Sequence, residues 1–433
     1  MRIGQVTDST ARRGREGRRR ALLLACLGSI LGAARARAQT LTVDDCVRLA
    51  LARSPAALAA AAEVRAAEEQ IRAARAAYVP RLLVQAEYGH PWGFSEVVTN
   101  GGSTAALLTL EASLLDGGLR AAQLGAAQAR LHSAAAIERQ RRADTGLAVR
   151  SAYFTALAAR AEREIQSDTA RRMRNDVTLL QRLETGGLVP HNDVLRAQLA
   201  LESAHTAQRS AEAALDTASA ELTALTGTDI GTDLLVEPGP IGSESPTEGM
   251  AEASPVMEDA RAAIEAARRE ADIVRSERRE RLTLVANGGF LGVDPGPTFS
   301  NNGGGQFLLG FALPIFDGGA SAARVAGAVA ATDAAEANAA QVRQTIRVAL
   351  SRVEVEARRA QAELDAWTQA VSRSEEAFQL MRARYVGGGS VRLLEVLDAQ
   401  TQSVDARLNV VRARLAYRLA VAMQDQILGR TGQ

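Results

Sequence analysis

The sequence predicts an α+β membrane protein, internally duplicated, in which a long antiparallel α-helical barrel continues a transmembrane β-barrel shared by three protomers with four strands each. Three observations carry that prediction. The composition suits long packed helices, the chain is written twice, and each copy holds two short alternating segments that can pair but cannot close a cylinder alone.

Composition sets the helical part. The 433 residues are 47% hydrophobic but only 3% aromatic, although aromatic rings carry much of the buried area in compact cores. Alanine takes their place; it favours helix and lets helix backbones approach closely. All 51 basic residues are arginine, whose guanidinium stays charged and suits ion pairs on helix surfaces. The net charge is +1, yet residues 1–38 hold nine Arg against Asp8 and Glu16, which leaves the rest of the chain acidic. That balance gives no electrostatic reason for a nucleic-acid partner.

Residues 1–38 read as a secretory signal peptide. Arg18, Arg19 and Arg20 precede the apolar run Ala21 to Ala34, and Ala36-Arg37-Ala38 offers a small-x-small cleavage site before Gln39. The apolar run is too short to span a bilayer as a helix. Of two cysteines, Cys26 lies in this leader, so Cys46 has no partner for an intramolecular disulfide. No later segment is apolar enough for a transmembrane helix, so entry into a membrane requires a β-barrel.

The duplication appears as an ordered series of matches. Ser54-Pro55 and Arg81-Leu82 recur as Ser254-Pro255 and Arg281-Leu282 at a shift of 200; Asp116-Gly117-Gly118 recurs as Asp317-Gly318-Gly319 at 201. Val194-Leu195 recurs as Val396-Leu397, and Gly227 as Gly429, at 202. Residues 39–227 are thus the first repeat and 250–433 the second, joined by the Gly-, Pro- and Ser-rich connector 228–249.

Strands are expected at about 82–89, 106–115, 282–291 and 306–316. Leu82, Val84, Ala86 and Tyr88 alternate with Gln85 and Glu87; Leu108, Leu110, Ala112 and Leu114 alternate with Thr109, Glu111 and Ser113. The second copy repeats this with Leu284, Ala286 and Phe290, then with Phe307, Leu309, Phe311 and Leu313. Period-two patterning of this kind suits one lipid face and one watery face, with long polar loops and interfacial aromatics such as Trp92 beyond. Four strands are too few for a pore with no open edges, whereas three chains supply twelve.

From Leu119 to about Glu184 there is no proline and little glycine, which allows one helix on the order of 100 Å long. Gly186, Gly187 and Pro190 then stop and restart it, and Gly387-Gly388-Gly389 does the same in the second copy. Leu394, Leu397, Thr401, Val404, Leu408, Val411 and Leu415 follow spacings of three and four, as do Leu201, Ala204, Gln208, Ala211, Leu215, Ala218, Leu222 and Leu225. Both read as coiled-coil seams.

Ala77-Tyr78-Val79-Pro80, Leu115-Asp116-Gly117-Gly118, Pro314-Ile315-Phe316-Asp317-Gly318-Gly319 and Leu394-Glu395-Val396-Leu397-Asp398-Ala399-Gln400 now stand in one order. With the duplication, they resemble the TolC family of outer-membrane efflux and secretion channels. The resemblance implies a passive exit duct of a tripartite efflux or type I secretion system: a homotrimer in outer-membrane lipid with a helical tunnel in the periplasm. It also implies a periplasmic adaptor (membrane fusion) protein as partner and, through it, an inner-membrane pump. The rival expectation is a soluble periplasmic coiled-coil adaptor. Where the first copy has Tyr78-Val79-Pro80 the second has Arg278-Arg279-Glu280, which predicts a different helix-to-strand entry.

By the same resemblance the hairpin tips meet the adaptor, making Gly186, Gly187, Leu188, Val189, Gly387, Gly388 and Ser390 candidate contacts; turn chemistry alone also accounts for the glycines. Glu395 and Asp398 share one helix face near a helix start, where the dipole favours acids. The resemblance makes them rings at a periplasmic constriction, with Tyr385 and Arg392 as gate contacts. No catalytic, metal or cofactor constellation is expected: His90, His132, His191 and His205 are scattered, and no phosphate loop with its lysine exists.

Overall fold

A computed structural model describes residues 41–90, 92–93, 103–239, 247–293, 303–388 and 391–431. The signal peptide, most of both long strand-joining loops, Gly389 and Ser390 lie outside these described residues. Each repeat opens with a helix that runs toward the sheet. In the first, α1 (Val43–Arg53) begins at a capping box, Thr42 accepting from the Asp45 amide while Asp45 accepts from the Thr42 amide. α2 (Pro55–Ala76) then starts on the Ser54-Pro55 pair, serine as N-cap and proline at the first helical position.

α2 leads to β1 (Arg81–Gly89) and β2 (Ser103–Leu115), followed by α3 (Leu119–Thr185) and α4 (His191–Thr226). After the connector and the short α5 (Glu248–Glu252), the second repeat gives α6 (Pro255–Ser276), β3 (Arg281–Val293), β4 (Gly303–Ala312), α7 (Ala320–Val386) and α8 (Leu393–Ile427). α3 and α7 are each 67 residues long, about 100 Å at helical rise. None of the described helices is long and apolar enough to cross a membrane.

The four strands form one antiparallel sheet in the order β1-β2-β3-β4. Leu82 faces Leu110, Leu110 faces Ala286, and Ala286 faces Phe307, so the apolar residues of all four strands fall on one side. Leu83, Thr109, Asn287 and Gln306 form the corresponding row on the other side. β1 and β4 are open edges.

Three expectations need correction. β4 ends at Ala312 rather than near 316, because Pro314 has no amide to donate and no strand among the described residues pairs with that stretch. The two helix-to-strand entries match despite their different residues. Tyr78 and Val79 donate backbone bonds to Arg75 and Ala76, as Arg278 and Arg279 do to Arg275 and Ser276; backbone turn geometry, not side-chain type, sets the entry. The seam of α8 is met only in part: Leu408 is buried and Leu397 and Leu415 pack against buried clusters, but toward the turn the buried stripe is Leu393, Val396, Gln400, Ser403 and Ala406, whereas Leu394 and Thr401 are exposed. α8 packs against both α7 and α3, so its buried line falls between two neighbours. In α4 the buried stripe follows Ala204, Ala211, Leu215, Ala218 and Leu222.

Where strands give way to long helices, the Asp-Gly-Gly turns act as caps. Asp116 accepts from the amides of Gly118 and Arg120, and Asp317 from those of Gly319 and Ser321. Gly118 and Gly319 both sit at φ 91°, a left-handed conformation that favours glycine. Midway along the bundle, Tyr153 is fully buried among Cys46, Val149, Leu222 and Leu235. Its hydroxyl lies 2.7 Å from the Val236 carbonyl and accepts from the Val236 amide at 2.9 Å, tying the connector to α3.

Candidate functional site

The two helical hairpins, α3/α4 and α7/α8, meet near their turns. In the first turn Gly187 adopts φ 71° and the amides of Gly186, Gly187 and Leu188 satisfy the last carbonyls of α3, a glycine-terminated helix end. Pro190 opens α4, and His191 Nδ1 lies 2.6 Å from Glu184 Oε1, bracing the turn. Gly388 repeats the left-handed position at φ 76°. Neither Gly187 nor Gly388 has an atom within 4 Å of an added Cβ, so backbone conformation, rather than crowding within the chain, calls for glycine there. Of the tip residues, Leu188 is 74% exposed and Val189 turns inward against the hairpin contact. Ser390 lies outside the described residues.

Just behind the tips, Val177, Leu180, Val194, Ala197 and Leu393 form an apolar cluster, with Val189, Leu201, Tyr385 and Leu397 packed against it. The cluster joins both hairpins. Through it Tyr385 reaches across and donates its hydroxyl proton to Asp193 Oδ2 at 2.9 Å. Burial and the neighbouring carboxylate push the Tyr385 phenol well above its ordinary pKa, so it stays a donor.

Other polar links bridge the hairpins above the turns. Arg382 donates to Asp176 Oδ1 from Nη2 at 2.8 Å and Nε at 3.2 Å. Higher up, Glu375 accepts from Arg172 across the hairpins at 3.3 Å, from Gln379 at 2.9 Å and from Ser403 at 2.9 Å. The Gln379 bond leads in holding the Glu375 carboxyl below its usual pKa; burial opposes it, while Ser403 and Arg172 add to the lowering. Gln400, also buried, presents an Oε1 that has no hydrogen-bond partner among the described residues.

Arg392 and Glu395 pair with each other instead of reaching across, Arg392 Nε donating to Glu395 Oε1 at 3.1 Å. Asp398 is exposed three residues on. The structure therefore brings Tyr385 into an interhairpin contact and leaves Arg392, Glu395 and Asp398 on an accessible stretch of α8.

Asp193, Asp176, Arg382, Arg172 and Glu375 escaped the reading of the sequence. One signal was available for Asp193: the repeat shift of 202 places it at the position of Glu395. Nothing comparable marked the arginine pairs, whose partners lie 203 and 206 residues apart on helices rich in both charges.

Comparison with known proteins agrees with this architecture. A family described as "Outer membrane efflux protein" matches residues 46–228 and 249–430. The chain is 28% identical over 382 residues to Protein CyaE of Bordetella pertussis, covering 86% of this chain and 80% of that protein. Among solved structures, the outer membrane protein VceC of Vibrio cholerae superposes with a TM-score of 0.76 at 22% identity, covering 90% of this chain and 97% of that one. The open state of the Neisseria gonorrhoeae MtrE outer membrane channel gives 0.77 at 20% identity, covering 92% and 93%.

Proposed function

The chain belongs to the outer membrane efflux protein family, and on that premise we propose that three copies close a single exit duct, held shut at its periplasmic end by the contact between Tyr385 and Asp193. The open sheet carries this reading. Its apolar side is displayed rather than buried, with Leu82, Val84, Phe307, Leu309 and Phe311 all exposed, and its two edges lack partners among the described residues. In lipid both features demand a closed cylinder made with other copies.

The repeat supplies the register of closure. Within the chain β2 of the first copy pairs with β3 of the second, Leu110 opposite Ala286 and Thr109 opposite Asn287. Advancing each by one repeat sets Phe311 of one protomer opposite Ala86 of the next, and Gly310 opposite Glu87. The same step carries the pair Leu115 and Leu282 to Phe316 and Leu82. It accounts for the exposure of Ile315 at 93% and Phe316 at 90%, since their strand partner belongs to a neighbour.

Cysteines at Ala86 and Phe311, and separately at Glu87 and Gly310, test the arrangement in a Cys46→Ala background. Oxidation should give a three-chain ladder for at least one pair. No cross-linking at either pair, with efficient cross-linking in pairs displaced by two residues, would refute this register.

The hairpin tips are the contact for a periplasmic adaptor coupled to an inner-membrane pump. The exposed Leu188 and the small surface at Gly186, Gly187, Gly387 and Gly388 support that reading. Glu395 and Asp398, repeated in three copies, make the acidic constriction just inside. Opening follows when docking separates the α7/α8 hairpin from α3/α4 at Tyr385.

A further inference from the structure

We infer that Arg81 and Arg281 together form an anion-binding ring where the helical tunnel opens into the β-barrel. The inference rests on the duct reading above and concerns its opposite end.

The two arginines are the first residues of β1 and β3 and occupy the same position in the two repeats. Each is followed by a leucine of the lipid-facing row, Leu82 or Leu282. Because successive side chains of a strand alternate in direction, Arg81 and Arg281 belong to the inner row. In the hydrogen-bonded register Arg81 is level with Val285, four residues along β3 from Arg281; the tilt and stagger of strands in a closed barrel offset that step, so the two repeat-equivalent guanidiniums of three chains make a ring of six.

Little neutralises them. Across the sheet Arg81 lies opposite Glu111, and Arg281 lies opposite Ala312. Each chain therefore places two positive charges against one negative charge at this level. The next inner pairs toward the barrel, Leu83 with Thr109 beyond Arg81 and Thr283 with Gly310 beyond Arg281, are uncharged. Just below, Asp116 is already engaged by Arg120 at 2.6 Å, and Arg279 is turned away to donate to the Gly117 carbonyl at 3.0 Å. The Nε of Arg281 is enclosed and has no hydrogen-bond partner among the described residues. An enclosed donor of that kind calls for an acceptor.

Guanidinium remains protonated at any working pH and grips carboxylate or phosphate through paired N–H groups. Rings of arginine select anions in pores. The ligand class is accordingly a multiply charged anion bearing carboxylate or phosphate groups. The constriction at Glu395 and Asp398 carries the opposite sign, so the duct holds a negative ring at its periplasmic end and a positive ring at the foot of the barrel.

The test uses the full-length trimer in planar bilayers, with inositol hexakisphosphate added on the barrel side. The wild type should show discrete blockades that weaken between about 0.1 M and 1 M salt as the charges are screened. Arg81→Gln with Arg281→Gln should shorten the blockades at least about tenfold and shift the reversal potential toward cations. Arg81→Lys with Arg281→Lys should retain part of the block, and Glu111→Gln should lengthen it. Insertion of conducting trimers reports that the variants fold, and either single Arg→Gln variant serves if the double fails to insert. Block and reversal potential unchanged by the glutamine substitutions would overturn the ring while leaving the duct intact. Trimers that conduct no ions even with the latch removed by Tyr385→Phe would overturn the duct, and the ring with it.

Discussion

Tyr385 and Asp193, 192 residues apart in the chain, share a hydrogen bond of 2.9 Å between the two helical hairpins. The bond joins a half-buried phenol to a carboxylate, the stronger class of hydrogen bond. Its surroundings are apolar, so either partner left alone loses its bond without full access to water.

Replacing Tyr385 with Phe keeps the ring in the cluster of Val194, Leu393 and Leu397 but removes the donor. A lost bond to a charged group costs about 1.5–3 kcal/mol, enough to raise the open fraction of a two-state gate by about tenfold or more. Single-channel recordings should show longer and larger openings in Tyr385→Phe and in Asp193→Asn. Arg382→Ala should add to either change. Conductance identical to wild type in all three would exclude the contact as a latch.

Acid should loosen the same region through Glu375. The folded state holds this carboxyl below the ordinary value of 4.5, chiefly through Gln379. A depressed carboxylate stabilises the folded arrangement fully above its unfolded pKa and loses that contribution as pH falls through the lower folded value. Hydrogen exchange along α8 near Ser403 should therefore accelerate below about pH 4.5. Glu375→Gln should remove most of that pH dependence while raising exchange at pH 7.

Tyr153 holds the connector. Tyr153→Phe removes a buried hydroxyl that donates to the Leu41 and Val236 carbonyls and leaves the Val236 amide only its longer 3.4 Å bond to the Leu41 carbonyl, which should cost about 1–3 kcal/mol, read as a lower midpoint in denaturant. Leu222→Ala, in the same core and also fully buried, should cost about 2–5 kcal/mol. Neither should alter conductance, because both lie far along α3 and α4 from the hairpin turns.

Leu188→Asp should leave the trimer and its conductance as they are but reduce capture of the periplasmic adaptor. Co-purification of the adaptor from cells expressing the complete export system measures this. An exposed leucine carries little folding energy, so retained capture would remove Leu188 from the docking surface.

Much of this architecture was legible in the chain. The period-two segments placed four strands, because alternation survives wherever one face meets lipid and the other water. Proline-free stretches and the Gly-rich turns placed the long helices, because backbone chemistry stops a helix wherever it falls. The end of β4 was less legible, since Pro314 interrupts pairing while the apolar pattern runs on through Ile315 and Phe316. The seam of α8 was off by one residue from Leu394 to Val404 yet right at Leu408, because periodicity gives the width of an apolar face but not how two neighbouring helices divide it.

By itself, the sequence determined the duplication, the strand count and the family resemblance, all of which are local or periodic signals. Only the tertiary structure decided that β2 joins β3 and that Tyr385 meets Asp193 while Arg392 turns to Glu395. The Tyr385–Asp193 contact depends on side chains 192 positions apart arriving on facing helices at the same height. No local propensity encodes that height; the packing of the long helices sets it.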